Sequence, residues 1–306
     1  MKKISVLIGV FLLLFSTGTL AGEIERIQAK GEIVVSLNRG YPPFSMIIDK
    51  QLRGLDVDLA SLMADYLGVR VRFIRPETYD RQIPALLAGE SDIIIAAMTR
   101  TVKRGLQVSF TVPYYEVSQA ALARRDLLPA EANSYFDLLE IKDLKLGVKG
   151  DTTHESFARE LFPAEAVKRY PTAAVAAEAL IKGEVNAMVA DSPFVKVWRN
   201  THPEHYQKIS ALLAPVTKEH YAFAIRPEDP HFLNWLNLFI AQIKSDGTLD
   251  LLAYEYFEQM SWARQTATPQ GKMTRAELLK NRFVVRRKAM IEERRKALQG
   301  GGDAYE

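Results

Sequence analysis

Short apolar runs rich in β-branched residues alternate with amphipathic stretches along the first part of this chain. Such alternation is typical of a largely parallel sheet whose strands are each followed by a covering helix. One predicted helix ends at Gly89, a common left-handed stop. The predicted elements here are strands over residues 31–37, 69–74 and 92–98, and helices over residues 54–67 and 81–88.

The second part of the chain continues this pattern after a longer connection. Residues 110–124 are extended in character and residues 127–137 look like a loop, as expected where the chain crosses from one lobe to another. A strand over residues 221–225 would return the chain to the first lobe. The other predicted elements are strands over residues 145–149 and 187–190, a helix beginning at residues 150–155, and helices over residues 231–244 and 249–260.

A faint internal repeat links the two parts. Residues 86–92 read LLAGESD and residues 180–186, which lie 94 positions later, read LIKGEVN; an apolar strand follows each. Each copy is a helix, a glycine stop and a parallel strand, and these strands end near Thr99 and at Asp191. Polar groups at facing strand ends predict a cleft between two similar lobes, with a chance match as the alternative.

The segment after the predicted strand over residues 92–98 carries Thr99, Thr101, Lys103 and Arg104. A helix N-terminus favours anions, and an arginine presents a fork of donors that matches a carboxylate. The segment therefore indicates a small ligand that bears a carboxylate. The alternative, from these residues alone, is a solvated first turn with Arg104 in a surface ion pair.

The composition is that of an ordinary soluble globular protein with a full core. The chain has 306 residues, of which 48% are hydrophobic and 25% charged, and this length favours two domains. The sequence contains no cysteine. Disulfides, thiol catalysis and zinc sites built on thiolates are therefore excluded.

The first 21 residues have the pattern of a secretory signal peptide. Lys2 and Lys3 precede an apolar run over residues 4–15, and residues 19–21 offer a cleavage site. The run is short for a membrane span, although an uncleaved anchor is the alternative. Because no cysteine lies at the cleavage point, no lipid anchor is expected there, and the mature chain is predicted to be free in the periplasm.

The charge of the chain is unevenly distributed. Residues 263–306 hold 11 Lys or Arg against 5 Asp or Glu, whereas residues 22–262 carry a net charge of −5. The acidic main part argues against nucleic acid as a partner. Thr274 and Glu277 fit a capping box, which predicts a basic helix from there to about residue 299. This extension either touches an acidic or lipid surface or is a solvated helix without a partner.

Motifs of other chemistries are weak in this sequence. It contains no Walker phosphate loop, no GxGxxG and no GxSxG. His202 and His205 flank a proline, which prevents one helix from carrying both toward a metal ion. Asp191, Ser192 and His154 would form a triad only through a fortuitous tertiary contact. We therefore expect neither a metal nor a cofactor.

Residues 54–59, GLDVDL, followed by Met63 and Leu67, resemble the signature of the family 3 extracellular solute-binding proteins. These proteins are the polar amino-acid receptors of ABC importers. Further matching segments occur in the family's order and extend the resemblance over residues 24–260. They are residues 41–44, 83–86, 98–104, 110–114, 151–153, 190–192 and 244–248.

The resemblance implies an α/β chain with the two-lobed periplasmic-binding-protein fold of class II type. Each lobe would be a mixed sheet flanked by helices, and the ligand would be clamped between the lobes. Residues 22–116 and 218–262 are expected to form lobe 1 and residues 117–217 lobe 2. Residues 263–306 would then be a basic helical extension outside the family pattern.

The resemblance also implies roles for residues of the cleft. Arg104 is expected to hold the α-carboxylate of the ligand with the help of Thr99 and Thr153, and Asp191 to hold the α-ammonium. Tyr41 matches an aromatic residue over the side-chain pocket. The other expected ligand-binding residues are Ala97, through its backbone carbonyl, and Asn38, Phe44, Tyr79, Met98 and Thr152.

The implied function is capture of an L-amino acid or similar small zwitterion by a monomer without a cofactor, and its delivery to an inner-membrane ABC permease. One alternative is a periplasmic dehydratase-like enzyme on the same fold, which needs a proton donor in the cleft. Another is a ligand-sensing accessory protein. Asn38 stands where receptors for basic side chains often have aspartate, which argues weakly against lysine or arginine as the ligand.

Overall fold

The computed structural model of the chain describes residues 22–227 and 229–263. The predicted signal peptide and residues 264–306 of the basic extension lie outside the described residues. Within them the chain forms two five-stranded sheets of mixed direction with helices packed on both, as the resemblance implies. None of the helices over these ranges has the length and apolar character to cross a bilayer.

The first part of the chain contains one helix that the apolar pattern did not predict. This N-terminal helix has only Ile24 and Ile27 as large apolar residues, and Ile27 is fully buried. The stripe is too thin to be recognised in the sequence. In chain order the elements are α1 (Glu23–Lys30), β1 (Glu32–Ser36), β2 (Met46–Ile48), β3 (Gln51–Arg53), α2 (Leu55–Leu67), β4 (Arg70–Ile74), α3 (Gln82–Leu87), β5 (Ile93–Ile94), α4 (Val102–Gly105), β6 (Ser109–Phe110) and β7 (Tyr115–Val117).

The second part of the chain contains the predicted elements in the predicted order, with the returning strand split in two and with two further strands and one further helix that the pattern did not predict. After its last α-helix the backbone widens into a π-helical turn over Tyr254–Gln259. The elements are β8 (Gln119–Arg124), β9 (Leu146–Lys149), α5 (Thr153–Leu161), β10 (Val167–Tyr170), α6 (Ala173–Ile181), β11 (Ala187–Asp191), α7 (Ser192–Thr201), β12 (Ile209–Leu212), β13 (Glu219–Tyr221), β14 (Ala224–Ile225), α8 (Pro230–Ser245) and α9 (Thr248–Ala253).

The two sheets share one topology. The first has the order β4-β1-β5-β14-β6 and the second β10-β9-β11-β8-β12; in each, the first three strands are parallel and the last two are antiparallel to their neighbours. This shared topology confirms the internal repeat. Gly89 and Gly183 end α3 and α6 with the same left-handed φ of 75°, and each leads into the central parallel strand.

The chain crosses between the sheets at a small antiparallel ribbon made by β7 and β13. The predicted crossing over residues 110–137 is confirmed in its extended first part, which contains β7, and the predicted loop over residues 127–137 takes no part in it. That segment lies against the second sheet, where Tyr135 is buried and Leu127 packs on the same apolar cluster. Apolar residues in a loop-like sequence are buried here because they cover an otherwise exposed sheet face. The lobe boundaries at residues 116/117 and 217/218 stay a prediction.

The predicted strand over residues 92–98 is mostly not a strand. Only Ile93 and Ile94 form β5, and Ala97 has a left-handed φ of 47°, which ends the extended backbone. The carbonyl of Met98 then accepts a hydrogen bond from the backbone N–H of Ala222, 3.1 Å away. These residues are apolar because they are buried beneath the cleft, and burial alone does not distinguish a strand from a packed loop.

Candidate functional site

Nine of the eleven predicted ligand-binding residues line a single cavity between the two sheets. They reach it because they follow the carboxyl ends of parallel strands: β1, β4 and β5 from the first sheet, and β9 and β11 from the second. The enclosed space is about 20 Å³, so the lobes must part before a ligand larger than water can enter. The nine residues are Asn38, Tyr41, Tyr79, Ala97, Thr99, Arg104, Thr152, Thr153 and Asp191.

Asp191 lies at the centre of a buried hydrogen-bond cluster. It ends β11 and is 2% exposed. Its Oδ2 accepts hydrogen bonds from the hydroxyls of Tyr41, 2.5 Å away, and Tyr221. Its Oδ1 lies 3.1 Å from Nε2 of His154 as an ion pair, although neither atom makes an aligned hydrogen bond. This oxygen is therefore the one still able to accept a donor from a ligand.

The pKa values of Asp191 and His154 reflect their contact. Burial alone would raise the pKa of Asp191, but the charge of His154 and the tyrosine hydroxyls outweigh burial and lower it. Burial alone would lower the pKa of His154, but the carboxylate beside it raises that pKa above its usual value. Both shifts favour the charged pair.

Replacing His154 by Gln is expected to lower the free energy of unfolding more at about pH 5.5 than at about pH 9. A histidine with a raised pKa stabilises the fold below its unfolded pKa, and this contribution is lost as the pH rises through the folded value. The lowered pKa of Asp191 stabilises the fold at both pH values, because its contribution is lost only in acid. Urea unfolding at both pH values measures the difference. The exposed His231→Gln is the control, and an equal loss at both pH values would contradict the ion pair.

Arg104 reaches the cavity from the first lobe on the short helix α4. Thr101 begins this helix and accepts the backbone N–H of Arg104 at 3.2 Å. The guanidinium donates to the carbonyl of Thr99 at 2.7 Å and lies 5.5 Å from the ring centroid of Tyr79. Among the described residues this is the single acceptor for its five donors. The remaining N–H groups are available for a carboxylate.

The N-terminus of α5 faces Arg104 from the second lobe. Thr152 begins the helix and accepts the backbone N–H of Glu155 at 3.4 Å, while its own hydroxyl donates to the carbonyl of Lys149 at 2.7 Å. Thr153 is the first helical residue and lines the cavity. A helix terminus beside an arginine is suited to an anionic group. The two lobes therefore converge on one position where a carboxylate is favoured.

Lys149 is a cavity residue that the sequence did not indicate as a site. It ends β9, is 4% exposed and donates from Nζ to Oδ1 of Asn38 at 2.6 Å, across the cleft. Burial lowers the pKa of Lys149 to about 7. The repulsion of Arg104 also lowers this pKa, and the attraction of Asp191 raises it but does not outweigh burial. The sequence does contain a signal for this residue, a lysine directly after the apolar run LGV. A parallel strand in the sheet interior ends at the carboxyl edge, where ligands bind.

Ala97 is held in its left-handed conformation by residues below the cleft. Its carbonyl accepts the hydroxyl of Tyr79 at 3.5 Å, and its backbone lies close enough to the buried carboxylate of Asp56 to lower that group's pKa. Burial raises the pKa of Asp56 to about 7, and Tyr114 donates to the same carboxylate at 2.7 Å. Asp56 is therefore a buried structural residue and not a ligand-binding one.

Phe44 and Met98 were predicted as ligand-binding residues, and the structure places both elsewhere. Phe44 is fully buried in an aromatic cluster, with Tyr221 5.2 Å and Phe257 5.3 Å from its ring centroid. Met98 is 1% exposed in an apolar cluster of the first lobe. In a continuous strand over residues 92–98 the side chains would alternate between the two faces, and that of Met98 would point to the cleft. The turn at Ala97 interrupts the strand, so Met98 is buried in the first lobe instead.

Phe44 also explains the glycine of the GLDVDL motif. A Cβ at Gly54 would lie 2.1 Å from the carbonyl oxygen of Phe44, and Gly54 has a φ of 138°. The same carbonyl accepts the backbone N–H of Asp56 at 3.0 Å, in the first turn of α2. The motif therefore fixes the loop that carries Tyr41 against the start of a helix.

His154 and Tyr221 were also missed as site residues. His154 is 5% exposed beside Asp191, a tertiary contact that no local pattern in the sequence indicates. A catalytic triad is nevertheless not formed within the described residues, because the hydroxyl of Ser192 accepts the backbone N–H of Ser118 at 3.3 Å rather than contacting His154. No cluster of three metal-ligating side chains occurs in residues 22–227 and 229–263.

Comparison with known sequences and structures gives a consistent result. The sequence model of the bacterial extracellular solute-binding proteins, family 3, matches residues 33–259. An ABC transporter arginine-binding protein of Escherichia coli (strain K12) is 28% identical over 265 residues, which cover 85% of this chain and 100% of that protein.

Solved structures with the same fold include two reconstructed ancestral proteins. An ancestral arginine-binding protein bound to arginine is 30% identical, with a TM-score of 0.67 over 74% of this chain and 98% of that chain. An ancestral amino acid-binding protein, described as a precursor of cyclohexadienyl dehydratase, is 33% identical, with a TM-score of 0.68 over 77% of this chain and 99% of that chain.

Proposed function

Since this chain belongs to the bacterial extracellular solute-binding proteins of family 3, we propose that it binds an amino acid or similar small zwitterion in the cleft described above. It delivers this ligand to an ABC permease in the inner membrane. It acts in the periplasm, after removal of residues 1–21, and as a monomer. It is a receptor and not an enzyme.

The observation that carries this proposal is the placement of two opposite charges around one buried cavity. Arg104 comes from the first lobe with donors free for a carboxylate, and Asp191 from the second with one oxygen free for an ammonium. A zwitterion that bridges them is desolvated between two charged partners, which strengthens both contacts. The ligand thereby holds the lobes together, as in closure about a hinge.

Calorimetric titration of the mature chain with a panel of amino acids tests this function. We expect saturable one-to-one binding of at least one of them, with a dissociation constant well below a millimolar. Absence of binding by every amino acid in the panel would overturn the proposal. A gene neighbourhood with a permease and an ATPase would support delivery to a transporter rather than a sensing role.

Removal of the residues after Ala263 is expected to leave ligand affinity within about threefold, since in the described part of the chain every residue that lines the cavity lies between Asn38 and Asp191. The measurement is the same titration on the chain that ends at residue 263, with the full mature chain as the reference. A loss of tenfold or more would show that the basic extension contributes to the site and that the proposed boundary is wrong.

The dehydratase alternative is favoured by one observation. Lys149 and His154 place two buried titratable groups in the cleft, which meets the need for a proton donor beyond the ligand clamp. A dehydratase converts its substrate, whereas a receptor releases its ligand unchanged. Recovery of the intact ligand after prolonged incubation supports the receptor, and steady accumulation of a dehydrated product would establish the enzyme.

A further inference from the structure

Lys149 is a buried cation that has no role in the proposed binding of a zwitterion by Arg104 and Asp191. It is 4% exposed, and its ammonium lies inside the cavity rather than in solvent. A lysine is seldom buried unless an opposite charge compensates it. Within the described residues, its one hydrogen bond from Nζ reaches the neutral amide oxygen of Asn38.

Two aromatic rings beside this ammonium orient it without neutralising it. Nζ lies 4.3 Å from the ring centroid of Tyr79 and 5.5 Å from that of Tyr41, so two aromatic faces hold it by cation–π contact. An ammonium has three donors, and the amide of Asn38 takes one. Donors therefore remain that can point toward a ligand.

The cavity as a whole has an excess of positive groups. Arg104, Lys149 and His154 line it, against Asp191 as the one carboxylate among the lining residues of the described chain. The charge of that carboxylate is already balanced by His154, and its Oδ2 accepts two tyrosine hydroxyls, so only Oδ1 remains for a ligand ammonium. A neutral zwitterion leaves the excess unchanged, a second carboxylate on the ligand reduces it, and a cationic side chain increases it.

The protonation of Lys149 agrees with this balance. Burial lowers its pKa to about 7, so its charge is only marginally stable in the cavity. An anion beside it would restore the charged form, because an opposite charge at close range favours ionisation. A cation beside it would have the reverse effect.

We propose that Lys149 determines the ligand class of the cleft, by binding a second carboxylate of the ligand and rejecting cationic side chains. This inference rests on the proposed function, since it assumes that Arg104 holds the first carboxylate. Acidic amino acids and small dicarboxylates carry the required chemistry. Asn38 agrees with it, because its amide offers a cationic side chain no counter-charge. The preference differs from the arginine bound by the similar proteins described above.

Titration calorimetry with a chosen panel tests this selectivity. The ligands are glutamate, aspartate, glutamine, arginine and glutarate; glutarate shows whether the ligand must be an amino acid. They are measured on the wild type, on Lys149→Met, and on Lys145→Met. Lys145 is exposed four residues earlier, directly before the same strand, and is the matched control. Circular dichroism checks folding, and Lys149→Gln replaces the methionine variant should it misfold.

We expect glutamate or aspartate to bind at least about tenfold more tightly than glutamine and arginine. Lys149→Met should weaken binding of the acidic ligand by roughly tenfold to hundredfold, which corresponds to loss of a charged hydrogen bond. The same substitution should weaken binding of glutamine by less than about threefold. Lys145→Met should change neither. Tighter binding of glutarate than of glutamate would identify dicarboxylates as the source of the second acid group.

Two results would overturn the inference, and they differ in what else they affect. Arginine as the tightest ligand, or an equal loss for glutamate and glutamine in Lys149→Met, would refute the role of Lys149 and leave amino-acid binding intact. Absence of binding by all five ligands to the wild type would refute this inference, and the wider amino-acid panel described under the proposed function then decides whether that function fails as well.

Discussion

Arg104→Ala is expected to weaken binding of any ligand with an α-carboxylate by about 100-fold. The guanidinium has donors free toward the cavity and comes from the lobe opposite α5, whose N-terminus favours the same anion. A charged hydrogen bond contributes about 1.5–3 kcal/mol, and a carboxylate enclosed without its partner loses its solvation as well. Titration calorimetry on the purified variant measures the loss.

The neighbouring Lys103→Ala is the matched control for Arg104, because Lys103 is exposed on the same short helix. Its affinity should stay within about twofold of the wild type. Arg104→Lys should not rescue binding, since a lysine lacks the planar fork and the contact with Tyr79 depends on the guanidinium. An Arg104→Ala protein that keeps its affinity within about threefold would show that the carboxylate is held elsewhere.

Asp191→Asn is expected to weaken the binding of amino acids at least about tenfold more than the binding of the corresponding deaminated acids. Only the amino acid has the ammonium that Oδ1 of Asp191 is placed to accept. The variant also leaves His154 without its counter-ion in a buried position, so the free energy of unfolding should fall by about 3–5 kcal/mol. Paired titrations with an amino acid and its deaminated analogue, and urea unfolding, measure the two effects.

Asp126→Asn is the control for Asp191. Its carboxylate is 60% exposed and pairs with Arg124 on the surface, where such an ion pair contributes little. Both its affinity and its stability should remain near the wild type. Equal losses for an amino acid and its deaminated analogue in Asp191→Asn would rule out the ammonium role, even if the fold is destabilised as expected.

The general location of the site could be predicted from the sequence, because it depends on local order along the chain. A helix, a glycine stop and a buried strand occur twice, and the polar residues Thr99 and Asp191 follow the strands. Parallel strands bring their carboxyl ends to one edge, so local order translates directly into position. Phe44 and Met98 were misplaced because large apolar residues near a strand end can line either a pocket or the core, and the backbone turn at Ala97 is not visible in composition.

The sequence by itself determined the α/β class, the two sheets and the arginine of the site, because each depends on residues close together in the chain. Only the tertiary structure placed His154 against Asp191 and directed Lys149 across the cleft to Asn38. The partners in the second pair are 111 positions apart. The first contact forms within the second lobe, and the second forms where the carboxyl edges of the two sheets meet across the cleft. The burial that results decides which charges attract, which compete and how each pKa shifts.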